Sequence, residues 1–270
     1  MDSKSIPKPS KRSYLRSLAG REYYTARRRL KWLTSRQFAR PAPSISLAHS
    51  IFQHRTILLR PLRDVEMYLQ HNKITNLRLA IEPIDGMLIR PGETFSIWQR
   101  VGRPTARRGF LEGLVLHNGR IEKGIGGGLC QLGNLLYWMA LHSPLTIAER
   151  YRHGFDVFPD VNRSIPFACG ATLAYNYIDL QLRNDTPRTF QLRLWLDDEY
   201  LNGELFSDQP ATTRFEVLET DHLIKMQPWG GYTRHNRIWK RTSSLVDGMT
   251  HEELVTENHA IMMYNPLLTA

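Results

Sequence analysis

The stretch Gly124-Ile-Gly-Gly-Gly-Leu-Cys-Gln131 leads directly into Leu132-Gly-Asn-Leu-Leu-Tyr-Trp-Met-Ala-Leu141. In the second part, leucine, methionine and alanine recur at the three- and four-residue spacing of one helical face. Three consecutive glycines bring the chain to the start of this helix, and Ser143-Pro144 ends it. The sequence therefore predicts a strong helix over residues 129–141, at the centre of the fold.

The chain around this helix has the composition of β structure. Short runs of β-branched and aromatic residues alternate with glycine, proline and asparagine, as in strands joined by turns. Asn118-Gly119 and Asp247-Gly248 are typical hairpin turns. Residues 55–80 have the periodicity of a second helix. The predicted strands are 87–89, 94–98, 114–116, 155–158, 171–182, 189–196, 213–218, 237–243 and 252–264.

These patterns predict an α+β fold in which the central helix packs on mostly antiparallel sheet and the C-terminal half is β-rich. The predicted organisation is a basic tail with an amphipathic helix over residues 1–40, followed by one α+β domain over residues 41–270. The chain has 270 residues, of which 41% are hydrophobic, so it can bury a full core.

The net charge of +10 is concentrated at the N-terminus. Residues 1–40 hold twelve basic and two acidic side chains, so the remainder carries 24 of each and no net charge. Within residues 14–36 the apolar positions follow one helical face and arginines surround it, which predicts a basic amphipathic helix. Such a helix either docks on the body of the protein or adsorbs to an anionic membrane surface. Nucleic acid is not expected as a partner, because the body has no basic excess.

Targeting and cofactor signals are absent from the sequence. It has neither a run of about 18 apolar residues nor the apolar core of a secretory signal, so we expect a cytoplasmic location, with residues 14–36 a candidate contact to the inner membrane face. The histidines and the two cysteines show no metal-ligand spacing, and the glycine run lacks the Lys-Ser or Lys-Thr of a phosphate-binding loop. The sequence thus predicts neither a metal nor a cofactor.

Three stretches together resemble the signature of the VanW family: Arg90-Pro-Gly-Glu-Thr-Phe-Ser-Ile-Trp98, the glycine run with Cys130, and Glu149-Arg-Tyr-Arg-His-Gly154 leading to Asp156. They occur in the family's order, and residues 170–184 and 257–266 extend the resemblance. It implies a role associated with the bacterial cell wall and glycopeptide resistance. It also implies peptidoglycan or its precursors as the substrate class.

Cys130 is the predicted chemical centre. At the first turn of a helix, its sulfur would lie near unpaired backbone N–H groups and the positive end of the helix dipole, which favour the thiolate. Such cysteines have pKa values of roughly 3.5 to 7.5 and act as nucleophiles. Gly126, Gly127 and Gly128 would let a substrate approach the backbone. The alternative is that Cys130 is a small buried hydrophobic residue and the glycines permit a tight junction.

Acyl transfer by this thiol would also need a base. His153 is the predicted base and Asp179 the group that orients it, with Asp156 or Asp160 as alternatives. The chain order of thiol, imidazole and carboxylate is similar to the arrangement in papain-like enzymes. The alternative for His153 is a structural histidine with hydrogen-bonded surroundings.

The predicted oxyanion donors are Gln131 and the backbone N–H of Cys130, and Arg150 is a further candidate for substrate binding. Under the structural alternative, Arg150 is an ion-pair partner within the fold. Cys169 lies in an apolar setting and is predicted to be a buried, inert thiol.

Two functions fit these residues. The first is a cofactor-independent thiol enzyme that transfers acyl groups on amide bonds of peptidoglycan or its precursor peptides, with transpeptidation favoured over hydrolysis. The second is a non-catalytic module that binds a cell-wall peptide or a lipid-linked precursor at the inner membrane face. Under the first, Cys130→Ala would abolish turnover without unfolding the protein; under the second, Cys130→Ser would retain ligand binding and phenotype.

Overall fold

The computed structural model describes residues 13–35, 37–42, 44–59, 66–117, 120–158 and 165–267. The chain divides into two compact units, Met1–Arg36 and Gln37–Ala270. The helices are α1 (Tyr14–Thr34), α2 (Met67–Ile81), α3 (Ile97–Val101) and α4 (Cys130–Leu141). The strands are β1 (Arg40–Pro41), β2 (His49–Ile57), β3 (Met87–Ile89), β4 (Thr94–Ser96), β5 (Glu112–His117), β6 (Arg120–Ile125), β7 (Thr146–Glu149), β8 (Phe155–Asp156), β9 (Gln181–Arg183), β10 (Phe190–Leu196), β11 (Tyr200–Ser207), β12 (Thr213–Met226), β13 (Tyr232–Ser244) and β14 (Thr250–Met262).

The described part of the first unit is essentially α1. Ser13 Oγ accepts a hydrogen bond from Arg16 N at 3.4 Å and caps the start of the helix. At the other end, Ser35 N donates to Lys31 O. The helix predicted over residues 14–36 is confirmed, with its last turn ending slightly earlier. No helix in the described ranges has the length and apolar character needed to cross a membrane.

The core of the second unit is a five-stranded sheet in the order β1-β3-β10-β11-β2, with every neighbouring pair antiparallel. Phe190, Leu192 and Leu194 alternate along β10 and are all buried. A tight turn joins β10 to β11, because Asp197 Oδ1 accepts hydrogen bonds from two backbone N–H groups of that turn, at 2.9 and 2.6 Å. The turn predicted at Asp197-Asp198 is therefore confirmed.

Helix α4 packs on β2 and β11 of this sheet. Its apolar face, which includes Leu135 and Met139, is buried as the periodicity predicted. Gly203 in β11 makes the close approach possible, since a Cβ there would lie 2.6 Å from Met139 Sδ. The α+β class, with a central helix on antiparallel sheet and a β-rich C-terminal half, is confirmed.

The C-terminal part forms a separate sheet of long strands. Strands β12, β13 and β14 pair antiparallel in sequence order, and β8 pairs parallel to β14. The predicted hairpin at Asp247-Gly248 is confirmed, since β13 and β14 flank it. The predicted turn Asn118-Gly119 lies outside the described residues, although β5 and β6 on either side of it pair as a hairpin.

The strand predicted over residues 94–98 ends at Ser96, because α3 begins at Ile97. Two other predicted elements are wrong over much of their length. Residues 55–80 were expected to be one helix, but β2 extends to Ile57 and α2 begins at Met67. Pairing of β2 with β11 overrides the local periodicity there. Residues 171–182 were expected to be a strand, but only their last two residues belong to β9. The segment before β9 is irregular, and its backbone bonds to a side chain and a loop: Ala171 N donates to Asn134 Oδ1 and Thr172 N to Tyr151 O.

A cluster of aromatic and imidazole rings lies between α4 and β2. The His142 ring stacks on Phe52 with centroids 4.3 Å apart and lies 4.4 Å from the Trp138 ring. Burial lowers the pKa of His142, and the charge of Lys240 lowers it further, while the carbonyl of Trp138 acts in the opposite sense. Burial, and then the neighbouring His142, lower the pKa of His54. Both imidazoles are therefore neutral in the folded protein near pH 7.

The free energy of unfolding is expected to fall as pH decreases. The unfolded chain takes up protons on both histidines below about pH 6.5, whereas the folded protein resists protonation, so the stabilisation present above that pH is lost on acidification. Each histidine is expected to contribute to this loss of stability between pH 7.5 and pH 5.5. Urea unfolding of a His142→Gln variant should show a correspondingly smaller loss. A matched His251→Gln change on the exposed edge of β14 should follow the wild type, and an acid dependence equal in all three proteins would contradict this assignment.

Candidate functional site

Cys130 is the first residue of α4, and the Leu129 N-cap makes no side-chain hydrogen bond to the helix. The backbone of Leu173 acts to lower the pKa of the thiol. Although the residue keeps partial exposure, burial of the sulfur raises the pKa of the thiol, and backbone hydrogen bonds lower it by less. This direction is opposite to the lowered thiol pKa that the sequence predicted, because desolvation outweighs the backbone hydrogen bonds.

Other residues of the protein occupy the space beside the three glycines that precede Cys130. Gly126 and Gly128 have φ of 77° and 91°, in the left-handed region. A Cβ on Gly127 would overlap the backbone of Gly113 at the start of the β5–β6 hairpin, and one on Gly126 would lie 2.6 Å from Pro104 Cβ. At Gly128 the Lys73 side chain occupies the corresponding space. A side chain at any of these three positions would therefore meet a neighbouring segment, which is the tight junction that the structural alternative describes.

Gln131 and Arg150, the other predicted binding residues, hold segments of the fold together. Gln131 Nε2 donates to Thr56 Oγ1 and to Ile57 O, each at 2.9 Å, and so ties the start of α4 to the end of β2. Arg150 donates from Nε to Gly170 O at 2.9 Å and from Nη2 to Ala168 O at 2.7 Å. Its guanidinium also lies 4.5 Å from the centre of the Tyr137 ring.

His153 and Cys130 contact consecutive residues of one irregular segment. The backbone N–H of His153 donates to Thr172 Oγ1 at 3.3 Å, while the Cys130 thiol bonds to the backbone of Leu173. The Nδ1 atom of His153 is buried without a hydrogen-bond partner. Burial, followed by the charge of Arg152, lowers the pKa of His153, while a backbone hydrogen bond to Phe155 and then the charge of Asp156 partly oppose this.

Asp179, the predicted orienting group, has a different role. It is fully buried, and its carboxylate accepts hydrogen bonds from Ser96 Oγ at 2.6 Å, Trp98 N at 3.2 Å and Gln181 Nε2 at 3.2 Å. These contacts join β4 and the start of α3 to β9. Burial raises the pKa of Asp179 to about 6, although all three hydrogen bonds favour the carboxylate. Asp156, the predicted alternative, is the carboxylate whose charge acts on His153.

Asp156 is the centre of a buried polar cluster. Its Oδ2 lies 3.3 Å from Arg234 Nη1 and accepts a hydrogen bond from Tyr264 Oη at 3.0 Å. The ring of Phe167 lies between two guanidinium groups, with Arg152 4.3 Å and Arg234 4.4 Å from its centre. This cluster, which we call the Asp156 cluster, comprises Arg152, His153, Asp156, Phe167, Arg234 and Tyr264.

Sequence reasoning missed three members of the Asp156 cluster. Phe167, Arg234 and Tyr264 stand far from Asp156 in the chain, and Arg234 has only the alternation of a strand around it. Tyr264 and Asp156 do lie within stretches that carry the family resemblance, and this was the available signal. The cluster thus brings guanidinium, carboxylate and phenol groups together around a buried aromatic ring, whereas burial keeps the thiol of Cys130 protonated near neutral pH.

Comparison with known proteins agrees with the resemblance. A family model described as "VanW like protein" matches residues 72–206, which is half of the chain. The chain is 37% identical over 172 residues to the vancomycin B-type resistance protein VanW of Enterococcus faecalis, an alignment that covers 64% of this chain and 62% of that protein. It is 29% identical over 121 residues to the uncharacterized protein YoaR of Bacillus subtilis, covering 44% of this chain and 37% of YoaR.

Both alignments span less than two thirds of the relative's own length. No solved structure matches the chain. The matched region includes α4, Asp156 and the irregular segment before β9.

A Gly127→Ala variant should be strongly destabilised. Its new methyl group would overlap the backbone of Gly113, and two backbones cannot separate without opening the junction between the hairpin and α4. We expect a loss of about 3 kcal/mol or more in the free energy of unfolding, measured by urea denaturation. Gly154→Ala is the matched control, because nothing lies within 4 Å of its Cβ position. Equal stability of the two variants would refute the close contact.

The contribution of Asp179 to stability should depend on pH. Its pKa is raised in the folded protein, so its contribution is greatest at low pH and is lost as pH rises through about 6. Between pH 8 and pH 5, the wild type should gain roughly 1.4 kcal/mol relative to Asp179→Asn. Chemical denaturation at both pH values measures this difference. An Asp198→Asn change in the exposed β10–β11 turn should show no such gain, and a constant Asp179→Asn difference would rule out the raised pKa.

Proposed function

The chain belongs to the family of VanW-like proteins, and from this premise we propose that it contributes to glycopeptide resistance by binding a cell-wall peptide or a peptidoglycan precursor. The environment of Cys130 is the observation that supports a binding function over a catalytic one. Burial raises the pKa of its thiol, and the glycine positions beside it are occupied by Gly113, Pro104 and Lys73. A substrate carbonyl beside Cys130 would therefore meet a protonated thiol, and the space next to the glycines is already occupied.

The Asp156 cluster supports the binding proposal. It lies where residues 150–156, the irregular segment and the long β12–β14 sheet meet, and it combines an aromatic face with groups that form charge-assisted hydrogen bonds. The Nδ1 atom of His153 is buried without a hydrogen-bond partner, so a bound ligand would satisfy it after a movement of the side chain. We therefore assign ligand contact to His153 and a supporting role to Asp156 and Arg234.

Cysteine-dependent acyl transfer is the second candidate. One observation favours it: Cys130 begins a helix, and both Cys130 and His153 contact consecutive residues of one segment. In this candidate Cys130 is the nucleophile and His153 is the base. Because the thiol pKa is raised, ligand binding would have to lower it before the thiol could react. Binding of residues 14–36 to an anionic membrane surface stays a prediction. The cytoplasmic location of the protein also stays a prediction.

Alkylation of Cys130 distinguishes the resting states of the two candidates. A free thiol has a pKa of about 8.5, and burial raises the pKa of Cys130 above its ordinary value. In a Cys169→Ala protein, the rate of reaction with iodoacetamide should therefore keep rising as the pH increases beyond about 8.5. The same protein unfolded in urea provides the unperturbed reference and should react faster at pH 7.5. Rapid alkylation at pH 7 with a midpoint below that of the unfolded chain would favour the thiol enzyme.

Ligand binding tests the proposal itself. A soluble peptidoglycan-precursor peptide should bind the wild type and Cys130→Ser with equal affinity in isothermal titration calorimetry, and mass spectrometry should show the peptide unchanged. His153→Ala should weaken binding at least tenfold, about 1.4 kcal/mol, through loss of a polar contact. His251→Ala is the control on the exposed sheet. Failure of the wild type to bind would refute the proposal, and a product formed by the wild type but not by Cys130→Ser would establish the second candidate.

A further inference from the structure

Two histidines that are 24 residues apart in sequence meet on the long C-terminal sheet. His235 in β13 and His259 in β14 are direct partners in the antiparallel register. Their Nδ1 atoms lie 2.7 Å apart and their ring centroids 4.9 Å apart. This pair is outside the Asp156 cluster and has no part in the proposed function.

The contacts of His235 restrict where its protons can lie. Two Nδ1 atoms at 2.7 Å cannot both carry hydrogen, so at least one lone pair points at the opposite ring. On its other side, His235 Nε2 lies 2.8 Å from Thr233 Oγ1, which also accepts a hydrogen bond from Gln227 Nε2 at 2.6 Å. With Nε2–H donating to Thr233, the Nδ1 lone pair of His235 is directed toward His259. Metal-binding histidines are oriented in the same way, by a hydrogen bond from the second ring nitrogen.

We propose that His235 and His259 bind one divalent transition-metal ion of the zinc, copper or nickel type through their Nδ1 atoms. Imidazole nitrogen is a preferred ligand of these ions. Bonds of about 2.0 to 2.1 Å at a tetrahedral centre separate two nitrogens by about 3.3 Å. The rings therefore need to part by only about 0.6 Å from their present spacing, which small side-chain rotations provide.

The surroundings leave the remaining coordination positions to solvent or to an added ligand. The pair lies in a shallow depression of about 340 Å³ that Asp221, Lys225, Arg237 and Glu257 also line. Arg237 Nε donates to Glu257 Oε1 at 2.7 Å, and Arg237 Nη1 lies 3.3 Å from Asp221 Oδ2, so both carboxylates are engaged. No group of three or more metal-binding side chains is assembled anywhere in the described ranges. The ion is thus held by two protein ligands and keeps open positions for water or an anionic donor.

Calorimetric titration of the untagged full-length chain with zinc chloride tests the site. The wild type should bind one equivalent with a Kd below about 100 μM at pH 7.5. Affinity should fall at least tenfold in His235→Ala and separately in His259→Ala, because each removes one of two ligands. His251→Ala, which removes another exposed histidine of β14, should bind as the wild type does.

A pH series adds a second readout. Protons compete with the metal for the imidazole nitrogens, so binding should weaken from pH 7.5 to pH 5.5 in the wild type. Far-ultraviolet circular dichroism verifies that each variant is folded. Absence of saturation in the wild type, or unchanged affinity in His235→Ala and His259→Ala, would overturn the proposal. Neither result bears on peptide binding at the Asp156 cluster, so the two proposals fail independently.

Discussion

The irregular segment of residues 167–173 has to satisfy its backbone polar groups without a neighbouring strand. The positions of α4, of residues 150–156 and of the long C-terminal sheet depend on how this is done. A buried peptide group without a partner costs roughly 1 to 3 kcal/mol. Asn134 of α4 accepts from Ala171 N, Arg150 donates to the carbonyls of Ala168 and Gly170, and Asn236 of β13 donates to Phe167 O at 2.8 Å. These side chains provide hydrogen bonds that a neighbouring strand would otherwise provide. They also hold α4, residues 150–156 and the long sheet against the same segment.

Burial, more than charge pairing, sets the protonation of the groups near this segment. It raises the pKa of Cys130 and of Asp179, and it lowers the pKa of His153. In each case desolvation exceeds the hydrogen bonds or charges that act in the opposite direction. The common result is neutral thiol and imidazole groups near pH 7. Neutral groups of this kind suit ligand contact better than nucleophilic catalysis, which is why we propose binding for this member of the VanW-like family.

The two surfaces that emerge are chemically different and lie on different parts of the second unit's β structure. The Asp156 cluster is enclosed, contains guanidinium and aromatic groups, and includes residues of the region matched by the family model. The His235–His259 pair is more exposed, lies outside that region, and consists of imidazoles whose pairing depends on strand register. A polar peptide and a divalent metal ion are the ligands that these respective groups recognise.

Local patterns in the sequence were sufficient for the fold class, α1, α4 and most hairpins, because apolar periodicity and turn residues act over a few neighbouring positions. The family came from the resemblance of whole motif stretches. They also placed Cys130 at the start of α4 and offered Asp156 as an alternative to Asp179. Only the tertiary structure decided that the glycines before Cys130 meet Gly113 and Pro104, that the thiol is desolvated, and that β2 replaces the start of a helix. It alone brought Arg234 to Asp156 and His235 to His259. Desolvation and strand register arise from contacts between residues distant in the chain, so no local pattern of residues contains them.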